Sequence, residues 1–199
     1  MAGPSSLVTA NRKEASIVHI YVVRHGESVD DLSDSYGGAA NFPLTDHGRD
    51  QAKATATRLK DANIAAIYSS PLARASESAS IIAAELGNPP LEIINDLRER
   101  NTYGVLSGHT PARAEELFGY ILSELPYKPG QWPHAMPGGE EFGPFVERVR
   151  GAFNEVVRKA TSAGYETVAI VTHGKFTLGL FTAVLGLADQ YQKEPKLVG

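Results

Sequence analysis

The stretch Ile17-Val18-His19-Ile20-Tyr21-Val22-Val23-Arg24-His25-Gly26-Glu27-Ser28 decides the reading of the fold. Residues 17–23 are rich in β-branched apolar side chains, and the run stops at Arg-His-Gly-Glu. That pattern predicts a strand buried on both faces, as found inside a parallel sheet. A cation, an imidazole and a glycine then leave its carboxyl end together. In open α/β sheets ligands bind at that edge, where loops and helix N-termini converge.

Further along, strand and helix signals alternate. Pro43-Leu44-Thr45 leads into a helix from Asp46 to about Lys60, with Thr45 as N-cap and Asp46 at the positive helix end. Ile64–Ser69 reads as a short strand. Ser70-Pro71 reads as a cap with proline at the first helical position, opening a helix to about Leu86 that Gly87 ends. Arg74 falls in its first turn. Leu91–Ile94 predicts a third strand, followed by Asp96-Leu97-Arg98-Glu99-Arg100. Thr110-Pro111 caps a helix with Leu117, Ile121, Leu122 and Leu125 on one face. Lys128–Gly143 holds four glycines, three prolines and the only tryptophan, Trp132, so it is expected to be a long loop and lid. Phe145, Val146, Val149, Phe153, Val156 and Val157 recur at helical spacing. Thr167–Thr172 is a strong strand that ends at His173-Gly174, and a last apolar helix runs from Lys175 to about Leu185. This alternation predicts an α/β fold with a largely parallel sheet. Three strands end in chemistry: at Arg24-His25, at Ser69-Ser70 before Arg74, and at His173.

Composition narrows the class. The 199 residues carry 42% hydrophobic and 21% charged side chains, ordinary for a globule with a core. A formal net charge of −4 opposes binding to nucleic acid or an anionic membrane surface. No cysteine is present, which excludes thiolate catalysis, disulfides and cysteine metal sites. No apolar run approaches the roughly 18 residues that cross a bilayer. Met1–Ser16 is small and polar without an apolar core, so a flexible tail (1–16) is expected rather than a signal peptide. Residues 17–199 are expected to form one catalytic domain with a lid region at about 99–143, in a soluble, cytoplasmic protein.

Two arginines and two histidines at one sheet edge make an anion pocket, with phosphate the leading guest. A neutral imidazole there can take a phosphoryl group as nucleophile, and surrounding positive charge lowers its pKa and keeps it unprotonated. A carboxylic acid must then protonate the leaving oxygen. Asp96 and Glu99 are the acids near a predicted strand end. The arrangement requires no metal and no cofactor. A metal-dependent hydrolase built on the same histidines is the alternative at this level.

Arg24-His25-Gly26-Glu27-Ser28 resembles the signature of the histidine phosphatase superfamily, the phosphoglycerate-mutase-like fold. Further segments match in order: Pro43-Leu44-Thr45 with Gly48 and Gln51-Ala52; Tyr68 to Ala75; Leu97-Arg98-Glu99; Pro137-Gly138-Gly139-Glu140; and Val171-Thr172-His173-Gly174. The resemblance implies a three-layer α/β/α sandwich acting on phosphate esters of small molecules through a phosphohistidine. It implies His25 as nucleophile, Glu99 as proton donor, and Arg24, Arg74 and His173 as phosphate-binding groups, with His173 also in the catalytic set. Two features depart from the family pattern. Asp31 stands where relatives have an asparagine beside the phosphate, and the sequence ends soon after the last helix, where relatives add a strand. Mutases of this family carry a Gly-Trp segment before the position of Leu44, whereas here Gly37–Phe42 has no tryptophan. Hydrolysis is therefore expected over mutase-type transfer or a phospho-ligand-binding role. His19, His47, His109 and His134 are expected in surface or core roles.

Overall fold

The computed structural model describes residues 17–187 apart from Trp132. The expected tail at 1–16, Trp132 and the region of the additional family strand therefore lie outside the described residues. Four strands, β1 (His19–Arg24), β2 (Ala66–Ser69), β3 (Leu91–Ile93) and β4 (Thr167–Thr172), form one sheet in the order β1-β4-β2-β3. Every pairing is parallel. The helices are α1 (Val29–Ser33), α2 (Asp46–Leu59), α3 (Ala73–Glu85), α4 (Pro111–Glu124), α5 (Phe142–Ala163) and α6 (Gly174–Val184).

The pleat sends alternate side chains to opposite faces, and two separate cores result. Ala66, Tyr68, Val168 and Ile170 pack against α5 and α6, while Ile67, Ala169 and Val171 pack against α2 and α3. This is the three-layer α/β/α sandwich that the resemblance implies, on the largely parallel sheet that the alternation of elements predicts. Phe145, Val146, Val149 and Val156 of α5 are buried. At about 1.5–3 kcal/mol for each such side chain, α5 is held by burial rather than by helix propensity. Gly164, at φ 71°, ends it in the left-handed cap that glycine favours. The N-caps of α2 and α4 also follow the sequence: Thr45 accepts from the Gly48 N–H and Thr110 from the Arg113 N–H.

Some expectations are corrected. The first strand is not buried on both faces. Among the described residues β1 pairs only with β4, and Tyr21 and Val22 remain 43% and 36% exposed. An apolar run specifies a strand but not its place in the sheet. The helix after β2 starts at Ala73 instead of Pro71: the Ser70 hydroxyl accepts from the Leu72 N–H at 3.2 Å, closing a turn before the helix begins. The inward face of α4 is built on Ala114, Phe118 and Leu122 with the following Leu125, whereas Leu117 and Ile121 are exposed. The polar stretch after Ser28 contains the short α1. Helix α5 starts at Phe142, taking in the last residues assigned to the loop.

Candidate active site

Register brings the histidines together. Arg24 pairs with Thr172, so the next residues, His25 and His173, leave adjacent strands side by side. The His25 N–H donates to the Thr172 carbonyl at 3.0 Å, and the two imidazole centroids lie 5.0 Å apart. On the other side of β4 the Ser70 N–H donates to the Val171 carbonyl, which sets Ser70 beneath His173. The Ser70 Oγ to His173 Nε2 distance is 2.8 Å.

The loop carrying His25 is clamped by main chain. Ser28 bridges to Leu44, Val29 N–H donates to the Pro43 carbonyl, and Thr45 N–H donates to the Glu27 carbonyl. A Cβ on Gly26 would collide with the Gly48 carbonyl, and one on Gly48 with that of Glu27. The glycines at these two positions permit backbone-to-backbone contact between the loop and the first turn of α2. The Gly26 N–H donates to Ser78 Oγ, which in turn donates to the Arg74 carbonyl.

Within this clamp His25 Nδ1 is 2.6 Å from the Gly26 carbonyl. A carbonyl only accepts, so Nδ1 carries the proton and Nε2 keeps its lone pair. Arg74 Nε donates to that Nε2 at 3.3 Å. Arg74 is 2% exposed, and its terminal nitrogens donate to the carbonyls of Ala40 and Gly38 at 2.8 and 3.2 Å. Burial, opposed by the Gly26 bond and helped by Arg74 and Arg24, lowers the His25 pKa to about 4. Burial and then the charge of Arg74 push His173 far below the ordinary imidazole range. Both rings are neutral at physiological pH. His173 Nδ1 is buried and, among the described residues, has no hydrogen-bond partner.

A cavity of about 250 Å³ opens beside His25, lined by Arg24, Arg74, Glu99, Tyr103 and Lys175 together with the acids and glycines of residues 30–38. A second hollow on the far side of Arg24 and His25 is lined by Gly26, Glu27, Asp31 and Gln51. Arg24 borders both hollows and is exposed to them. His173 borders neither, being fully buried behind His25. Four of the five residues anticipated from sequence thus meet at one cavity, with the fifth directly behind it.

Glu99 reaches the cavity from the loop after the turn at Asn95–Leu97. Its Oε1 accepts from the N–H groups of Arg100 and Phe176 at 2.8 and 3.1 Å, and Oε2 accepts from the Lys175 N–H at 3.1 Å. The carboxylate therefore sits on the positive N-terminus of α6. Arg148 secures this loop: it donates to the carbonyls of Asp96 and Arg98 at 2.7 and 3.0 Å while paired with Glu140 at 2.6 Å. Asp96, the other acid of the segment, pairs with Arg98 on the surface and does not line the cavity. Asp31 is turned partly aside, its Oδ2 accepting from Ser28 N–H and Oγ at 2.9 and 3.1 Å.

Tyr103 and Lys175 were not singled out by the sequence. The ammonium of Lys175 lies 4.7 Å from the Tyr103 ring centroid. These positions are separated by most of α4, α5 and β4, and neither belongs to a local pattern. Other side chains of the 99–143 region do not line the cavity: His134 stacks on Tyr127 at 4.4 Å, His109 leans on Phe118, and Arg113 pairs with Glu116. His47 caps over Gln51 on the α2 surface. Among the described residues no three His, Asp or Glu side chains are grouped as a metal-holding set, and no helix is long and apolar enough to cross a membrane.

Comparison with known proteins adds a family to this geometry. A 2,3-bisphosphoglycerate-dependent phosphoglycerate mutase of Brucella melitensis is 33% identical over 175 residues, covering 86% of this chain and 83% of the mutase. The alpha-ribazole phosphatase of Shigella flexneri superposes with a TM-score of 0.70 at 26% identity, over 87% of this chain and 83% of that one. A mycobacterial glucosyl-3-phosphoglycerate phosphatase superposes with a TM-score of 0.67 at 25% identity, over 86% and 83% of the two chains. The family description that matches residues 20–196 is that of the histidine phosphatase superfamily, branch 1, to which this chain belongs.

Proposed function

We propose that this protein is a metal-independent phosphatase that hydrolyses phosphate monoesters of small molecules through a phosphohistidine on His25. The observation that carries the reading is the His25 ring itself: its Nδ1 proton is committed to the Gly26 carbonyl, and its Nε2 lone pair faces a guanidinium beside a small cavity. In the first step Nε2 attacks phosphorus and a P–N bond forms as the ester P–O bond breaks. The leaving oxygen takes a proton from the Glu99 carboxyl. Oε2, with a single N–H donor, has a lone pair left to hold that proton. In the second step Glu99 takes a proton from water, the resulting oxygen attacks phosphorus, and the P–N bond breaks to release phosphate. Arg24 and Arg74 hold the phosphoryl oxygens through both steps, and His173 offers the orphan Nδ1 as a further donor when Ser70 Oγ–H donates to its Nε2. Arg74 Nε releases the His25 lone pair as the phosphoryl group arrives.

The phosphatase relatives support hydrolysis. The Brucella relative supports a second reading, in which phosphohistidine returns the phosphoryl group to another hydroxyl of the substrate. Phosphate release from an aryl phosphate in excess EDTA tests the first. Turnover is expected to survive the chelator and to fall at least about 1000-fold in His25→Ala. Activity retained by that variant would overturn the mechanism, and a positional isomer in place of free phosphate would favour the second reading.

A further inference from the structure

Asp31 is the acid at this cavity that the phosphoryl chemistry leaves without a task. It stands in the short α1 and borders both hollows that flank Arg24 and His25. Its Oδ2 is committed, accepting from the Ser28 N–H and Oγ–H at 2.9 and 3.1 Å. Two donors on one oxygen hold the carboxylate at the cavity, since turning it away would lose both bonds. Among the described residues Oδ1 accepts no hydrogen bond, and no cation comes within ion-pair distance of it.

The neighbouring groups are engaged elsewhere. From the end of β1, His25 gives its one ring proton to the Gly26 carbonyl, and Glu27 Oε1 accepts from the Thr45 hydroxyl at 2.7 Å. Asp30, on the same helix, keeps its Oδ1 buried. From α3, Arg74 donates to His25 and to the carbonyls of Ala40 and Gly38. Across the cavity Glu99 accepts backbone N–H groups of α6, and the Lys175 ammonium rests over the Tyr103 ring. Arg24 borders both hollows with Asp31 without pairing to it. The charge of Asp31 still reaches the site, pulling the pKa of His25 and of Arg74 upward against burial.

A phosphate monoester brings acceptor oxygens and, above its second pKa of about 6, no proton of its own. The arginines meet those oxygens as donors, but an unpartnered carboxylate oxygen meets them as a second acceptor. Two anionic groups sharing one site do not both stay ionised. One proton held between them replaces the repulsion with a short charge-assisted hydrogen bond.

We propose that Asp31 is a specificity-determining residue that selects the ionisation state of the substrate: its Oδ1 shares one proton with a phosphoryl oxygen, so the site takes the singly protonated phosphate group in preference to the dianion. This rests on the phosphatase reading above and names the form in which that site binds its substrate.

The test is calorimetric titration of inorganic phosphate from pH 6 to 9 into the wild type, Asp31→Asn and Asp31→Ala. Asparagine keeps an acceptor for Ser28 and offers an amide N–H to the phosphoryl oxygen, so it needs no added proton. Wild-type binding is expected to weaken about tenfold for each pH unit above the second ionisation of phosphate, the signature of one proton taken up. Asp31→Asn is expected to hold its affinity within a few-fold over that range and to exceed the wild type about tenfold or more at pH 9. Asp31→Ala should flatten the slope as well, although it also loses the Ser28 contacts. A purely structural role in capping α1 would change affinity alike at every pH and leave the slope as it was. A wild-type slope no steeper than that of Asp31→Asn overturns the proposal, and so does failure of the wild type to bind phosphate at pH 6. Phosphate binding needs no turnover, so these outcomes are separate from the aryl phosphate assay on which the phosphatase reading stands or falls.

Discussion

The strand-end wall of the cavity, running from Arg24 and His25 to Arg74, is fixed by sheet register, main-chain bonds and buried side chains. The opposite wall, around Tyr103, is fixed by loops folded on one another and by a small cluster of Leu106, Ala114 and Met136 with the tyrosines around it. The first wall leaves His25 and Arg74 almost no choice of position. The second depends on few buried residues, so its shape can change without disturbing the sandwich. The two histidines stand on the rigid side and Tyr103 on the adjustable one.

Substitutions that probe this contrast should differ in scale. The largest effect is expected on the rigid side. Arg74→Ala removes a guanidinium from His25 and leaves the carbonyls of Gly38 and Ala40 without donors. Turnover of an aryl phosphate should fall about 100- to 1000-fold, and Arg74→Lys should restore it only in part. A drop below tenfold would mean that the strand-end wall is less decisive than described.

Acid should be felt on the same side. His25 is held at about pKa 4 when folded against 6.5 when unfolded, so between these values the unfolded chain binds more protons. Stability is therefore full above pH 6.5 and falls as pH drops toward 4, by on the order of 3 kcal/mol from this ring. His173, depressed further still, continues the loss at lower pH. Urea unfolding at pH 7, 5.5 and 4.5 measures it. A flat profile would show that the rings are protonated without cost. The smallest effect is expected at the exposed face of α4, where Leu117→Ser should change stability by no more than about 0.5 kcal/mol. A larger loss in the same unfolding measurement would mean that this face is covered.

The contrast also explains what could be read from the sequence. The strand-end wall announces itself because each strand is a local pattern and its chemistry follows within one or two residues, as at Val23-Arg24-His25 and Thr172-His173. Arg74 was legible for the same reason, although Ser70-Pro71 misplaced the helix start, since a cap and a preceding turn use the same residues. The place of β1 in the sheet was not legible, because pairing is decided by residues far along the chain. Tyr103 and Lys175 were hidden for that reason too. Their contact depends on how the loop after Glu99 folds back on α6, and nothing near either residue encodes it.

The bond from His25 Nδ1 to the carbonyl of the very next residue has an evolutionary corollary. On the proposed mechanism the reactive nitrogen is selected by backbone, which no side-chain substitution deletes. Mutations across the cavity can therefore explore new substrates while the nucleophile stays in working order. Such separation of reactivity from taste is what lets one scaffold diversify without passing through inactive intermediates.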